Sequence, residues 1–316
     1  MTEKRSLTNS KDVSDILALA KSNGLHILHE GLELNESGLD FRALFAKDIQ
    51  GTPWVLRTPR RTDVVQSAAY EHKVLQLIRD TLPVAVPDWQ VYRPEFIAYP
   101  QLEGTPAATI DMETKSYVWF INPEALTERF VASLAKALAA LHRTDHQQAA
   151  NFGVRVKQHD EVRQLMDQRM KEIRSVFGVS GELWQRWQTW LADDSYWPEY
   201  SALVHGDLHP GHILVSSNTE VTGMLDWTEA EVADPAIDFT SYYTLFGEVE
   251  LTRLLKLYEA AGGRVWPRMI EHIVELTAAY PVLIAEFALK SGLDEYMEMA
   301  RNALGVHEQE EGLPDI

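Results

Sequence analysis

A chain of 316 residues without a single cysteine forms no disulfide, thiolate metal site or cysteine nucleophile, and its length allows two modest domains or one large one. With 29 Lys and Arg against 47 Asp and Glu the formal charge is −18, a field that repels nucleic acid and anionic lipid and attracts amines and metal ions, although an acidic surface also serves solubility alone. The polar start MTEKRSLTNSKD lacks the apolar core of a signal peptide, and the most apolar later run, 278–289, is interrupted by Pro281 and Glu286, so the expectation is a cytoplasmic monomer with neither membrane nor nucleic-acid partner.

Residues 12–23 read as a short helix closed by Gly24. Strand patterns follow at 27–34, 39–46 and 54–58, separated by Asn35-Glu36-Ser37-Gly38 and Asp48-Ile49-Gln50-Gly51. A helix is expected over 63–80, with Val64, Ala68, Val74, Leu75 and Ile78 on one face, then short strands at 89–92 and 96–101. Beyond Glu103-Gly104-Thr105-Pro106 helical periodicity takes over at 123–142, 159–177 and 181–192. A strand-rich stretch at 201–226 interrupts it before helices resume to 303. This predicts an α+β fold of two lobes, an antiparallel sheet lobe over 1–103 and a mainly helical lobe over 104–306, with the acidic end 307–316 a disordered tail.

The run Leu203-Val204-His205-Gly206-Asp207-Leu208-His209-Pro210-Gly211-His212-Ile213-Leu214-Val215 carries the chemistry, together with Gly223-Met224-Leu225-Asp226-Trp227. Apolar runs at 202–204 and 213–215 read as short strands, and a turn at 216–218 leads to a third strand ending at Asp226. Tight connections therefore deliver Asp207, His212 and Asp226 at strand ends. The pattern parallels the protein-kinase catalytic loop H-R-D-L-x-x-x-N, which is followed after a hairpin by a metal-binding Asp, with His212 in the Asn position. Phosphoryl transfer needs one carboxylate to orient the attacking hydroxyl and take its proton, which suits Asp207. It also needs ligands that pin Mg²⁺ against the phosphates, which suits His212 and Asp226. These residues could instead be turn formers and caps. The loop, the spacing, the hairpin and the second Asp together are much rarer by chance than any one of them.

His205-Gly206-Asp207 with Pro210-Gly211-His212 resembles the phosphotransferase family that includes aminoglycoside and macrolide kinases. Asp234-Pro235-Ala236-Ile237-Asp238 matches the D-P-A-x-D run of that family, and Ala139-Ala140-Leu141-His142 looks like the helix end before its catalytic loop. Most relatives carry Asn where His212 stands. Histidine there, with Gly262-Gly263-Arg264-Val265-Trp266-Pro267 and Val86-Pro87-Asp88-Trp89, looks like the macrolide 2′-phosphotransferases. The resemblance implies a protein-kinase-like fold, GTP as phosphate donor with ATP as the alternative, Mg²⁺, and a macrolide acceptor. His205, Asp234 and Asp238 are read as structural support for the loop.

In the nucleotide lobe, Val55-Leu56-Arg57 stands where kinases have V-A-x-K, so Val55 could cover the base while Arg57 reaches the phosphates. Glu71 lies on the apolar stripe of the 63–80 helix, where an unpaired carboxylate is costly, and Arg57 is its expected partner. Ser37 and Gly38 mark a loop that could cradle phosphate, or an ordinary hairpin turn. Arg57, Arg60 and Arg61 form the densest basic cluster and favour an anion site, and 96–102 is the expected hinge, with Ala98 and Tyr99 at its centre.

For the acceptor, Met269, Ile273, Leu276, Tyr280, Leu283, Ile284 and Phe287 read as one helical stripe, more often core than binding surface. Tyr280 and Phe287 are nonetheless candidates for an apolar acceptor groove, with Glu229, Glu231 and Asp234 as carboxylates that could face an amine, unless Asp234, like Asp238, is structural and ties the loop through caps and hydrogen bonds. Three alternatives stay open: a kinase of an aminoglycoside, choline-like or homoserine-like alcohol, a catalytically inactive kinase-like binding protein, and a metal hydrolase built on His205, His209 and His212. The last is disfavoured because Gly206, Pro210 and Gly211 exclude the helix that would align His205 with His209.

Overall fold

The computed structural model describes residues 2–36, 38, 40–111, 114 and 116–306, the side chains of 2–11 excepted. The expected tail, 307–316, and Ser37 lie outside the described residues. A five-stranded sheet has the order β1 (Glu33–Asn35), β2 (Phe41–Lys47), β3 (Pro53–Pro59), β5 (Phe96–Pro100), β4 (Val91–Arg93), and every neighbouring pair is antiparallel. Asp48 closes the β2–β3 turn, accepting from the N–H of Gln50 at 2.8 Å and of Thr52 at 2.9 Å.

Strand alternation gives the sheet two different faces. Leu44, Leu56, Phe96 and Ala98 pack with Ile16 and Ala20 of α1 (Thr2–Ser22). Val55, Ile97 and Tyr99 pack with α2 (Val64–Ile78) on the other side. Past α2, the Ala85 N–H donates to Thr222 O at 2.8 Å and its carbonyl accepts from Met224 N at 2.9 Å, tying the sheet lobe to β11 (Val221–Met224).

Small strands in the second lobe carry the site. β11 and β6 (Thr105–Pro106) flank β10 (Ile213–Val215), and β9 (Ala202–Val204) pairs with β12 (Glu231–Ala233). A hairpin of β7 (Ala108–Ile110) and β8 (Tyr117–Trp119) precedes the helices α3 (Glu128–Leu141), α4 (His146–Asn151), α5 (His159–Phe177) and α6 (Gly181–Ala192). After β12 come α7 (Ile237–Ala260), α8 (Met269–Ala278), α9 (Tyr280–Ser291) and α10 (Asp294–Ala303). This is the two-lobe, protein-kinase-like α+β architecture.

Several elements depart from the sequence reading. The strand expected at 27–34 shrinks to β1, leaving Ile27 as an isolated bridge to Asp48. The helix expected from 123 starts at Glu128, because the Thr127 hydroxyl accepts from the Phe130 N–H at 3.1 Å and caps it. The 269–287 stripe is not one stripe. The chain breaks at Ala279, so Met269, Ile273 and Leu276 are core while Tyr280, Leu283 and Phe287 are exposed, and Val282, Ala285 and Ala288 take the buried side of α9. The 23-residue stretch Met269–Ser291 is long and apolar enough to cross a membrane, but that break divides it.

Candidate active site

The loop between β9 and β10 and the end of β11 bring Asp207, His212 and Asp226 to one place. His212 stands between the carboxylates, Nδ1 3.8 Å from Asp207 Oδ2 and Nε2 3.8 Å from Asp226 Oδ2. Nδ1 also lies 2.9 Å from the Asp207 carbonyl oxygen, which only a protonated nitrogen can satisfy. That contact makes Nδ1 a donor and leaves Nε2 directed toward Asp226. Asp226 itself has φ +60, a left-handed conformation uncommon outside glycine and tolerated by Asp, and it turns the carboxylate back toward His212. Burial alone would raise the Asp226 carboxyl, but His212 and the Thr228 hydroxyl, which donates to Oδ1 at 2.7 Å, hold it below the usual range.

Buried groups fix this loop from behind. The N–H groups of His205 and Gly206 donate to Asp238 Oδ2 and Oδ1 at 2.8 and 2.9 Å, and His142 Nε2 contacts the same Oδ2 at 3.0 Å while its Nδ1 meets the Tyr258 hydroxyl. These contacts keep the Asp238 carboxyl below its ordinary value against the opposing effect of burial. Burial pushes the His205 imidazole down, so it is neutral; it donates from Nε2 to Leu225 O at 2.9 Å and accepts from the Asp207 N–H on Nδ1 at 3.3 Å. One ring thus locks the peptide of Asp207 to the strand end that presents Asp226. Asp234 sits one layer deeper, 2.6 Å from His272 Nε2, whose Nδ1 accepts from Trp190.

Gly206 is required by this arrangement. Its φ is +82, and a Cβ there would overlap the Glu229 carbonyl oxygen. Gly206→Ala is therefore expected to lower stability by about 1–3 kcal/mol and to displace Asp207, visible as a fall in both melting temperature and turnover.

On the nucleotide side, Arg57 Nη1 lies 3.2 Å from Glu71 Oε2, the carboxylate being fully buried. Burial pushes the Glu71 carboxyl up, opposed by the Arg57 guanidinium. The pairing expected between these residues is present, and Glu71 also accepts from the Trp227 N–H at 3.5 Å, so α2 touches the segment that carries Asp226. The Arg57 guanidinium lies 4.0 Å over the Phe41 ring, beside Tyr99 and on the Val55 face. Ala98 is placed differently from the hinge role. Its side chain faces α1 and its carbonyl accepts from Gln90 N at 3.0 Å, so it belongs to the sheet interior.

Nor do the three arginines act as one anion site. Arg61 pairs with Asp40 and Asp63, and Arg60 donates to the carbonyls of Gly38 and Glu36 at 2.8 and 2.7 Å, bracing the β1–β2 loop. Only Arg57 points between the lobes.

The acceptor carboxylates also need correction. Glu231, on β12, is ion-paired with Lys157 and 3.7 Å from Arg155, so it is not a free partner for an amine. Glu229 remains exposed, 4.0 Å from Arg155. Tyr280 and Phe287 face solvent on α9. Sequence reasoning missed Tyr117 on β8, whose hydroxyl is pushed up by burial and by the nearby Asp207 and Tyr280. It begins an aromatic run in which Trp119 is 5.2 Å from Tyr117 and 5.6 Å from Phe246. The aromatic and β-branched composition of Tyr117-Val118-Trp119-Phe120, not any periodicity, was the strand signal that could have found it.

The profile of the phosphotransferase enzyme family matches residues 31–272. Among solved structures, the chain is similar to a macrolide 2′-phosphotransferase type I, with TM-score 0.85 and 43% identity over 93% of this chain and 97% of that one. It is likewise similar to the apoenzyme of macrolide 2′-phosphotransferase MphH from Brachybacterium faecium, with TM-score 0.89 and 36% identity over 95% and 99% of the two chains. The uncharacterized protein YcbJ of Bacillus subtilis (strain 168) is 51% identical over 300 residues, 95% of this chain and 98% of that protein. With the matched profile spanning most of the chain and the catalytic loop in place, the protein belongs to the phosphotransferase enzyme family.

Proposed function

We propose that this chain transfers the γ-phosphate of GTP, or of ATP, to the 2′-hydroxyl of the amino sugar of a macrolide, and so confers antibiotic resistance. The observation that carries the reading is the convergence of Asp207, His212 and Asp226, with histidine where most kinase-like loops have Asn. The likeness to two macrolide 2′-phosphotransferases supports the acceptor class.

Asp226 offers Mg²⁺ the carboxylate oxygen it prefers, and the His212 imidazole would anchor it more weakly or through a metal-bound water. Asp226 and His212 would hold it, and when bound it neutralises the triphosphate. Asp207 accepts a hydrogen bond from the acceptor hydroxyl and takes its proton onto a carboxylate oxygen as the new O–P bond forms and the bond from the γ-phosphorus to the bridging oxygen breaks, releasing the nucleoside diphosphate. Arg57, held by Glu71 and Phe41, meets the phosphates with a guanidinium already oriented. Residues 1–103 would then serve the nucleotide and 104–306 the acceptor, with Tyr117, Trp119, Phe246 and Tyr280 offering apolar surface to a large ring.

An acceptor panel tests this. Purified protein with Mg²⁺-GTP or Mg²⁺-ATP is expected to consume nucleotide with erythromycin and not with kanamycin or choline. Turnover of no macrolide would remove the acceptor assignment, and turnover of kanamycin would move it to the aminoglycosides.

A further inference from the structure

We propose that Tyr70 is a positioning residue for the Asp226 carboxylate, its phenol joining α2 of the sheet lobe to the turn that runs from Asp226 to β12. The Tyr70 hydroxyl donates to the Ala230 carbonyl at 2.6 Å and accepts from the Arg155 N–H at 3.1 Å. Ala230 is fully buried, so its carbonyl, left without the phenol, has no water to turn to. The Arg155 guanidinium lies 4.3 Å over the Tyr70 ring and donates from Nη2 to the Thr228 carbonyl at 3.4 Å.

The turn needs such support because it starts from a strained residue. Asp226 has φ +60, and a conformation of that kind persists only where the surroundings hold it. The Thr228 hydroxyl grips the carboxylate itself at 2.7 Å, and the Glu229 carbonyl lies against Gly206, the residue before Asp207. On the other side α2 reaches the turn twice. The Trp227 N–H meets Glu71 only at 3.5 Å, and that carboxylate is already shared with Arg57. The Tyr70 bond to Ala230 is much shorter, so the firmer grip of α2 on the turn passes through the phenol.

Tyr70 therefore acts through the backbone that carries Asp226. With the turn pinned at Ala230, the carboxylate is presented in place before nucleotide arrives. Without the hydroxyl, the turn slackens at that end and Asp226 is free to leave its strained conformation, which weakens its hold on Mg²⁺. This consequence rests on the phosphotransferase reading. A residue that merely packed the two lobes together would lower stability without changing the magnesium requirement.

The test measures binding of a non-hydrolysable GTP analogue, and of the ATP analogue beside it, to the full chain by calorimetry at graded Mg²⁺ without acceptor. Tyr70→Phe keeps the ring under Arg155 and removes only the hydroxyl. It is expected to need about 10-fold more Mg²⁺ than wild type for half-maximal binding, and to regain wild-type affinity when Mg²⁺ is in excess. Arg155→Lys keeps the charge facing Glu229 and Glu231 but loses the stacked plane and the donor to Thr228, at a half-exposed residue that does not threaten the fold. It should shift the requirement in the same direction by a smaller factor. An unchanged requirement in Tyr70→Phe overturns the proposal, and should that variant not fold, an unchanged requirement in Arg155→Lys does so. A loss of binding that excess Mg²⁺ does not restore marks Tyr70 as packing and overturns it as well. Binding of neither analogue by wild type removes the phosphotransferase reading and this proposal with it. Mg²⁺-dependent binding without macrolide turnover strikes the acceptor reading alone.

Discussion

Asp207→Asn is expected to lower turnover by about 10²–10⁴-fold while leaving the melting temperature unchanged. The side chain is 57% exposed, and the bonds that fix residue 207 run through its backbone, to His205 Nδ1 and from His212 Nδ1. An amide of the same shape therefore disturbs no packing and breaks none of these bonds. What it removes is the carboxylate that, in the proposed reaction, orients the acceptor hydroxyl and takes its proton. Rate measurements with saturating Mg²⁺-nucleotide and acceptor, beside thermal denaturation, separate the two effects. A variant within a few-fold of wild type would show that Asp207 is not the base, and a large fall in melting temperature would mark it as structural.

Asp226→Asn is expected to cost on the order of 10²–10³ in kcat, with a higher Mg²⁺ concentration needed for half-maximal rate. Asp226 occupies a strained left-handed backbone position, and its carboxyl is kept ionised by His212 and Thr228, so its charge is what the fold has been arranged to present. His212→Asn should keep more activity than His212→Ala. The amide supplies an oxygen, a better donor for magnesium than nitrogen, at a similar distance, whereas alanine supplies nothing. Magnesium titrations of the variants read both effects. Equal losses in His212→Asn and His212→Ala, or an unchanged magnesium requirement in Asp226→Asn, would argue against ligation by these residues.

What could be read in the sequence was what short-range spacing encodes. The 205–226 segment places its groups through strand ends and tight turns, so residue counting located Asp207, His212 and Asp226 together. Arg57 and Glu71 were paired by two independent periodicities, strand alternation and the helical stripe, and they meet at 3.2 Å. The rest depends on partners far along the chain. Nothing local announces that Glu231 is taken by Lys157, 74 residues away, or that Asp238 grips the backbone of His205, 33 residues before it. The acceptor side suffered most. A helix break at Ala279 turned Tyr280 and Phe287 outward, and the β7–β8 hairpin that carries Tyr117 was too short for periodicity to register.

The most direct measurement is mass spectrometry of erythromycin after incubation with the protein and Mg²⁺-GTP, with fragmentation to locate any modification. One added phosphate on the amino sugar, made by wild type and absent with Asp207→Asn, is the result this account predicts. Unmodified erythromycin after reaction with wild type, or a phosphate formed equally well by Asp207→Asn, would contradict it.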